Sequence, residues 1–419
     1  MNANSAIEQR PGQTQRPRMA TLPRILFITP FWPHKATIGA EIRSREIMRA
    51  LQKLGKVEAV VLVDEDAPSE ANAKPTDDLK AAYSVKVKPL AGRGVMGKLQ
   101  WIFNPRTDFP HGCAVGPEDA ARVLKSAAEA DVVWFYKLRS ANMFPNAPWP
   151  HAVMDVDDVP SSYEQLTLEN QTGMRKRFMT RTRIFSWKRR ERLLAERFPV
   201  LTVCSEGDKQ YLKDLGVVAP THVVPNGAAT PTAEPVRRLA SPPRIGFIGL
   251  IDYFPNHDGI EWFAKHCWPL VKRAVPAARL RLVGKGSDGP LKPEGADIDG
   301  LGFVDDANAE IATWSAMIVP IRVGGGTRLK IAQGFGLKCP IVSTSLGAYG
   351  YEPVDGREMY LGDEPQAFAD GCIKAMRQPE AAAQMAERAW QQFLQKWTWD
   401  AIQPRIGEAV AECLRRKSA

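Results

Sequence analysis

Two basic residues follow a run of three glycines in the second half of the chain. The stretch VGGGTRLKI places Arg328 and Lys330 just after Gly324, Gly325 and Gly326. Because glycine has no side chain, an anion can approach the backbone closely there. A guanidinium and an ammonium add two full positive charges at the same place. The pattern favours a site for a phosphate-type anion; the alternative interpretation is a tight turn followed by surface basic residues.

The elements around the glycines also suit an anion. Residues 317–321 are a short run rich in branched apolar residues, which predicts a buried strand that ends near the glycines. Thr327 is expected to cap the next helix, with Arg328 and Lys330 in its first turn, and Gly336 is expected to end it. A helix amino terminus offers unpaired N–H groups and a partial positive charge. The anion is therefore expected at the start of this helix.

Apolar runs of strand length alternate with helical patterns along most of the chain. The first unit has a strand at 24–29, a helix at about 40–54 and a strand at 57–63, which is typical of a βαβ unit. Parallel pairing is the default for such units, and their ligands bind at the carboxyl ends of the strands. Further strands are predicted at 85–90, 131–136, 152–156, 200–205, 244–249, 279–284 and 358–362. The sequence thus predicts an α/β protein with parallel sheets.

The length of 419 residues suits two domains better than one. The first twenty residues are polar and lack the apolar core of a signal peptide, so we expect a disordered tail, with Met19 as an alternative start. A stretch rich in Pro and Ala in the middle of the chain is typical of a linker. The predicted divisions are a tail at 1–22, a first domain at 23–227, a linker at 228–243, a second domain at 244–397 and a final helix at 398–419.

The formal net charge of +9 is concentrated in one stretch. Residues 175–197 contain ten Lys or Arg and two Glu, which leaves +8 there. A basic amphipathic helix can contact an anionic membrane, or it can pack on a sheet with a solvated basic face. No nucleic-acid-binding motif accompanies the charge, so nucleic acid is not an expected partner.

Cysteine usage and hydropathy bound the cellular context. The six cysteines are scattered and form no CxxC pair, which argues against a disulfide framework or a zinc site and fits a reducing cytosol. The sequence contains no run of eighteen apolar residues, so it predicts no transmembrane helix. We therefore expect a cytoplasmic protein, with peripheral contact at the inner face of a membrane as an addition.

Two segments of the second half resemble a known family. VGGGTRLKI and the later KCPIVSTSLGAYG resemble the donor-site segment of family 4-like, retaining group 1 glycosyltransferases, and IGFIGLIDYFPNHDGIEWF resembles the opening of their second domain. The resemblance implies the GT-B fold, in which two Rossmann-like, doubly wound domains face a cleft. It also implies a nucleotide-sugar donor, no cofactor and no obligatory metal. The final segment resembles the family's closing helix, which packs back on the first domain.

The resemblance also assigns roles to individual residues. It places the donor diphosphate at Gly249, Gly324, Gly325, Gly326, Thr327, Arg328 and Lys330. It places the donor base at Gly302, Phe303 and Val304, the ribose at Gln333, and a first-domain cleft loop at Gly39 and Ala40. The family usually has a glutamate where Gln333 stands. Many relatives also carry an Arg and a Lys after Gly249, and neither occurs before Gly259, so Arg328 and Lys330 are expected to bind the diphosphate.

Two adjacent acids are the candidate catalytic residues. Asp157 and Asp158 follow the strand at 152–156, where relatives have acids before the acceptor cleft. One of them is expected to bind the acceptor hydroxyl or to act as its base. Asp155 and Asp157 also match the short DxD pattern of metal-dependent GT-A glycosyltransferases, although a strand that ends in an acidic turn gives the same pattern.

The predicted function is transfer of a sugar from a nucleotide-sugar to a glycan, lipid-linked or small-molecule acceptor. Three alternatives remain open at this point. The first is a sugar-nucleotide epimerase with the same fold. The second is a weakened, scaffolding member of the family, which the change at Gln333 motivates. The third is a metal-dependent GT-A enzyme.

Overall fold

A computed structural model describes residues 22–32, 36, 38–64, 82–89, 94–105, 113–144, 147–169, 171 and 173–418. The strands of these residues form two separate sheets, one of eight strands and one of six. The predicted tail, with Met19, lies outside the described residues except for Leu22.

The first sheet is built from the apolar runs of the first half. Its strands are β1 (Arg24–Thr29), β2 (Lys56–Asp64), β3 (Ala82–Pro89), β4 (Cys113–Val115), β5 (Val132–Tyr136), β6 (Ala152–Asp157), β7 (Val200–Val203) and β8 (Thr221–Val223). They lie in the order β4-β3-β2-β1-β5-β6-β7-β8, and β3–β4 is the antiparallel pair in this otherwise parallel sheet. The strand order reverses between β1 and β5, which is where doubly wound sheets open a crevice for ligands.

The second sheet is wholly parallel among its described strands. These are β9 (Arg244–Ile248), β10 (Arg279–Val283), β11 (Ile298–Gly300), β12 (Ala316–Val319), β13 (Ile341–Ser343) and β14 (Tyr360–Leu361). They lie in the order β11-β10-β9-β12-β13-β14, with the reversal between β9 and β12. β12 ends at Val319, two residues before the predicted end, because Pro320 has no N–H to continue the ladder.

Helices cover both sheets. Those of the first half are α1 (Gly39–Leu54), α2 (Gly94–Phe103), α3 (Pro117–Glu129), α4 (Leu138–Asn142), α5 (Pro160–Glu169), α6 (Met174–Glu191), α7 (Leu194–Arg197) and α8 (Glu206–Asp214). Those of the second half are α9 (Phe254–Trp262), α10 (Trp268–Ala274), α11 (Ala307–Ile311), α12 (Leu329–Gly336), α13 (Pro365–Arg377), α14 (Pro379–Lys396) and α15 (Trp399–Ser418). A π-helical turn, Phe263–Cys267, joins α9 to α10.

The last helix crosses back to the first sheet. Ile402 and Ile406 of α15 are fully buried in the same apolar cluster as Ile25 and Phe27 of β1. The chain therefore passes between the sheets twice, through residues 228–243 and again at the junction of α14 and α15.

These two crossings run side by side. The Ala228 N–H donates to the Trp397 carbonyl over 2.9 Å, and the Trp399 N–H donates to the Ala228 carbonyl over 3.1 Å. A short two-stranded connection thus joins the two halves of the molecule. Within the described residues, no helix combines the length and the apolar content that a membrane span requires.

Candidate functional site

The glycine loop lies between β12 and α12, at the carboxyl edge of the second sheet. Gly324 and Gly326 have φ angles of 99° and 77°, a region that favours glycine. A Cβ at Gly326 would lie 1.8 Å from Oδ1 of Asp158, and one at Gly325 would lie 3.2 Å from Cβ of Tyr163. The loop therefore packs directly against the first domain, and only glycine fits at position 326.

The predicted cap of the following helix is wrong. α12 begins at Leu329, Arg328 is its N-cap residue in an extended conformation, and no side chain caps it. The Thr327 hydroxyl instead accepts a hydrogen bond from Nδ2 of Asn226 in the first domain, over 2.9 Å. Because this contact holds Thr327 toward the other domain, the helix starts one residue later than the capping rule predicts.

Two of the hydrogen-bond donors of Arg328 have no partner among the described residues. Its Nη1 donates to the Gly325 carbonyl over 2.5 Å. Its Nε and Nη2 atoms are buried and have no hydrogen-bond partner within the described residues, and no described carboxylate forms an ion pair with it. Leaving a buried guanidinium partly unpaired is costly, so these two donors indicate a place for an anion.

Lys330 is the second cation that forms no ion pair with a carboxylate of the described residues. Its Nζ donates to Oδ1 of Asn256 over 3.0 Å and lies 3.7 Å from the centre of the Phe247 ring. Burial, followed by the charge of Arg328, lowers the pKa of Lys330 well below its usual value. Within the described residues, no carboxylate forms an ion pair with Lys330. An anion between the two side chains would offset both the desolvation cost of the buried ammonium and its repulsion with Arg328.

Gly249 follows the last residue of β9 and lies beside Asn256 and Lys330. Its φ is 153°, and a Cβ there would lie 2.9 Å from Nδ2 of Asn256 and 3.1 Å from Nζ of Lys330. The Nδ2 of Asn256 donates to the Leu250 carbonyl over 2.7 Å, which fixes the amide that holds Lys330. Sequence analysis missed Asn256, since nothing in its local pattern connects it with a lysine 74 residues away.

The residues predicted to bind the base lie along the same sheet edge. The Gly302 carbonyl accepts from the Gly284 N–H over 2.8 Å, and the Gly302 N–H donates to the Ser287 hydroxyl over 2.9 Å. The Phe303 side chain is 78% exposed, and Val304 is partly buried. This places the segment at the ends of β10 and β11, beside the end of β9. Its role in binding a base stays a prediction.

Gln333 lies in α12, with its side chain half-buried. Its Nε2 donates to Oδ1 of Asn308 over 3.2 Å. The side-chain carbonyl oxygen has no partner within the described part of the chain and can accept from a ligand hydroxyl. The predicted contact with ribose stays a prediction.

The two candidate acids have different surroundings. Asp157 has a φ of 62° and accepts from the Tyr136 hydroxyl over 3.2 Å and from Nζ of Lys137 over 3.1 Å. Burial alone would raise the pKa of Asp157, but Lys137 and Arg43 hold it well below its usual value. Asp157 is therefore ionised, and its carboxylate is already held by side chains of the first domain.

Asp158, the next residue, faces the glycine loop. Burial and the neighbouring charge of Asp157 raise the pKa of the Asp158 carboxyl to about 6. No described side chain forms an ion pair with Asp158. Of the two acids, it is the one available to an acceptor.

The GT-A alternative is contradicted by the two-sheet fold and by the contacts of Asp155. The Asp155 carboxylate accepts hydrogen bonds from Nη2 of Arg43 over 2.9 Å and from Nε of Arg43 over 3.2 Å. It also accepts from the Thr202 hydroxyl over 2.9 Å, and all three residues are buried. Ligand-type atoms of Asp157, Asp158 and Cys204 lie within 4.8 Å of one another. Because Arg43 and Lys137 already neutralise Asp157, this group is a poor site for a metal ion.

The first-domain loop also meets the glycine-loop side of the cleft. A Cβ at Gly39, the first residue of α1, would lie 2.7 Å from Cδ1 of Leu329. The Tyr349 hydroxyl of the second domain donates to Oδ1 of Asp208 in the first over 3.1 Å. The two halves are therefore in contact at both places, and Gly39 and Ala40 lie where the first domain meets the start of α12. Their role toward a ligand stays a prediction.

Comparison with known proteins agrees with this architecture. Residues 242–378 match the family model described as glycosyl transferases group 1. No curated protein is similar enough in sequence to match the chain.

Solved structures match nearly the whole chain at low sequence identity. Sucrose-phosphate synthase from Thermosynechococcus elongatus superimposes with a TM-score of 0.63 at 14% identity, over 92% of this chain and 98% of the other. HepE from Anabaena, in complex with UDP-glucose, gives 0.60 at 15% identity, over 93% and 99%. WaaG, a glycosyltransferase involved in lipopolysaccharide biosynthesis, gives 0.58 at 15% identity, over 92% and 98%. The predicted GT-B fold and the resemblance to group 1 glycosyltransferases are confirmed.

Proposed function

We propose that this chain, whose residues 242–378 form a group 1 glycosyltransferase domain, moves a sugar from a nucleotide-sugar donor to an acceptor hydroxyl. The observation that carries the proposal is the pair Arg328 and Lys330. Both are at least half-buried, and neither has a described carboxylate partner. A diphosphate supplies the charge that this pair lacks.

The donor diphosphate lies against Gly249 and the glycine loop in this proposal. The bond between the anomeric carbon and the diphosphate oxygen breaks, and negative charge develops on the leaving group. Arg328 and Lys330 stabilise that charge, which is the role that a metal ion has in other transferases. The reaction as proposed therefore needs no metal and no cofactor.

The acceptor oxygen forms the new bond to the anomeric carbon, and Asp158 binds the acceptor hydroxyl and receives its proton. The proposal is supported by the position of Asp158 opposite Gly326 and by its raised pKa. Retention of configuration is proposed from the family resemblance, and it requires the acceptor oxygen to attack the face of the sugar from which the diphosphate leaves. Gln333 is proposed to bind the ribose, and the segment Gly302–Phe303–Val304 to bind the base.

The solved relatives support a choice of first ligands. HepE was solved with UDP-glucose. WaaG takes part in lipopolysaccharide biosynthesis. We therefore propose UDP-sugars as the first donors to test, and a glycan or lipid-linked acceptor.

A thermal-shift titration tests the donor site. The purified chain is titrated with UDP, GDP, ADP and their sugars, because a ligand at about 100 times its Kd stabilises the folded state by about 2.7 kcal/mol. One nucleotide should raise the melting temperature selectively. Arg328→Ala should abolish the shift, whereas Arg273→Ala, an exposed arginine of the same domain, should retain it. If no nucleotide shifts the melting temperature at millimolar concentration, the donor assignment is wrong.

A further inference from the structure

The most unusual surface of the first domain lies on α2 and α6. Four apolar side chains of α2 are exposed at one-face spacing: Val95, Met96, Leu99 and Phe103. α6 exposes Met174, Phe178 and Phe185, with Met174 90% and Phe178 71% accessible. Soluble proteins rarely leave so many large apolar side chains exposed together without a partner. We call these seven side chains the α2–α6 surface.

The two helices are tied together at one end. Nη1 of Arg189 donates to the Phe103 carbonyl at the end of α2 over 2.8 Å. Nη2 of Arg190 donates to the Asn104 carbonyl over 3.2 Å. The guanidinium of Arg189 also lies 5.4 Å from the centre of the Phe185 ring. The apolar faces of α2 and α6 are therefore fixed next to each other.

Positive charge is interleaved with these apolar residues. Arg181 and Arg189 share the helical face of Met174, Phe178 and Phe185, since these positions are three or four residues apart. Of the exposed basic side chains nearby, Arg192 continues this face just after α6, and Arg175 lies beside it. No described carboxylate forms an ion pair with Arg175, Lys176, Arg181 or Arg192. The opposite face of α6 is used inside the domain, where Trp187 and Glu191 are buried.

We propose that the α2–α6 surface docks on an anionic lipid bilayer. Apolar side chains that enter the acyl boundary, together with arginines that meet anionic headgroups, are the two contributions that hold an interfacial helix. A polyanion such as RNA would use the arginines but would leave the exposed Met and Phe side chains without a role. The combination of both on one face therefore favours a membrane.

The position of the surface relates it to the cleft. Nε of Arg183 in α6 pairs with Oε1 of Glu164 in α5 over 3.0 Å, and the preceding residue, Tyr163, packs against Gly325 of the glycine loop. One helix thus separates the docking surface from the cleft. A docked protein would receive a membrane-borne acceptor on its first-domain side. This last consequence rests on the proposed transferase function, whereas docking itself does not.

Flotation of the full chain with lipid vesicles tests the proposal. The chain should float with vesicles of phosphatidylcholine that contain phosphatidylglycerol, and not with phosphatidylcholine alone. The double variant Phe103→Ser/Phe178→Ser should lower partitioning about tenfold, since two buried aromatic side chains are lost. The double variant Arg175→Glu/Arg181→Glu should lower it at least twentyfold, at about fivefold for each positive charge removed.

Controls separate docking from general effects. Val218→Ser and Lys213→Glu change exposed residues outside the α2–α6 surface and should float like the unaltered chain. Melting temperatures show that each variant is folded, and Met96→Ser/Met174→Ser replaces the first pair if that pair unfolds. If the apolar variants float as well as the unaltered chain, or if the chain binds an RNA homopolymer but no vesicle, the docking proposal is wrong. Nucleotide binding is measured on the same variants and should be unchanged, so the two proposals fail independently.

Discussion

Asn226 of the first domain donates a hydrogen bond to the Thr327 hydroxyl of the glycine loop, over 2.9 Å. The side-chain oxygen of Asn226 accepts from Nη1 of Arg43, and Arg43 is held by the buried Asp155 carboxylate. A chain of buried polar side chains thus leads from the middle of the first sheet to the loop that we propose binds the donor.

Thr327→Val should weaken donor binding without disturbing the interior of the first domain. Valine has the shape of threonine, but it cannot accept the Asn226 amide, and a neutral hydrogen bond contributes about 1 kcal/mol. The Kd of the nucleotide found by thermal shift should therefore rise about fivefold in calorimetry. Thr180→Val, which removes a hydroxyl bonded to Gln171 inside the first domain, should leave the Kd unchanged. Equal affinities for Thr327→Val and the unaltered chain would show that the hydrogen bond from Asn226 does not contribute to donor binding.

Lys330 predicts a pH dependence of donor binding. Because its pKa is lowered in the free protein, Lys330 loses its proton at a lower pH than an exposed lysine does. A bound diphosphate favours the charged form, so binding takes up protons, and affinity falls as the pH rises through the pKa of the free protein. Calorimetry in buffers with different ionisation enthalpies measures this uptake.

Two variants isolate the contribution of Lys330. Lys330→Met should raise the Kd about thirtyfold, since a charge-assisted hydrogen bond contributes roughly 2 kcal/mol. It should also abolish the proton uptake, whereas Lys265→Met, at an exposed position of the same domain, should change neither quantity. Proton uptake that persists in Lys330→Met would assign it to another group.

Asp158→Asn should lower turnover with little effect on donor affinity. If Asp158 receives the acceptor proton, its loss lowers kcat about 10²–10⁴-fold. The raised pKa of about 6 predicts that kcat/KM falls as the pH drops through 6, since the protonated acid cannot accept a proton. Asp214→Asn, at an exposed acid of α8, is the control. Near-normal turnover in Asp158→Asn would leave Asp158 as a structural residue only.

Gln333→Glu tests whether the uncharged residue is adapted to its donor. The amide Nε2 of Gln333 donates to Asn308, and glutamate has no such donor. We expect turnover to fall several-fold, while Gln384→Glu on the exposed face of α14 has no effect. A rise in turnover would instead identify Gln333 as a weakening change and would favour the scaffolding alternative.

Local patterns in the sequence predicted most of the strands, the glycine loop and the fold, because these depend on periodicity and on runs of glycine. The three-residue strands β4, β8 and β11 are too short to give such a pattern and were not predicted. Contacts between distant segments could not be read in the same way. Asn256 holds Lys330 from 74 positions away, and Arg43 reaches Asp155 across 112. The capping rule failed at Thr327 because an inter-domain contact outweighed a local preference. Asp157 and Asp158 are identical in type and adjacent, and only their tertiary surroundings distinguish them: Lys137 and the Tyr136 hydroxyl hold Asp157, whereas Asp158 faces the glycine loop.

The paired crossings at Ala228 and Trp397–Trp399 determine how the two halves can move. We expect two segments bonded to each other in this way to act as a hinge with one axis, because twisting or sliding would break the two hydrogen bonds between them. Opening the cleft then requires the contacts between the halves to separate, among them Asn226 with Thr327, Asp208 with Tyr349 and Tyr163 with Gly325. The same residues would come back into contact each time the cleft closes, so the two halves would return to the same relative position before each turnover.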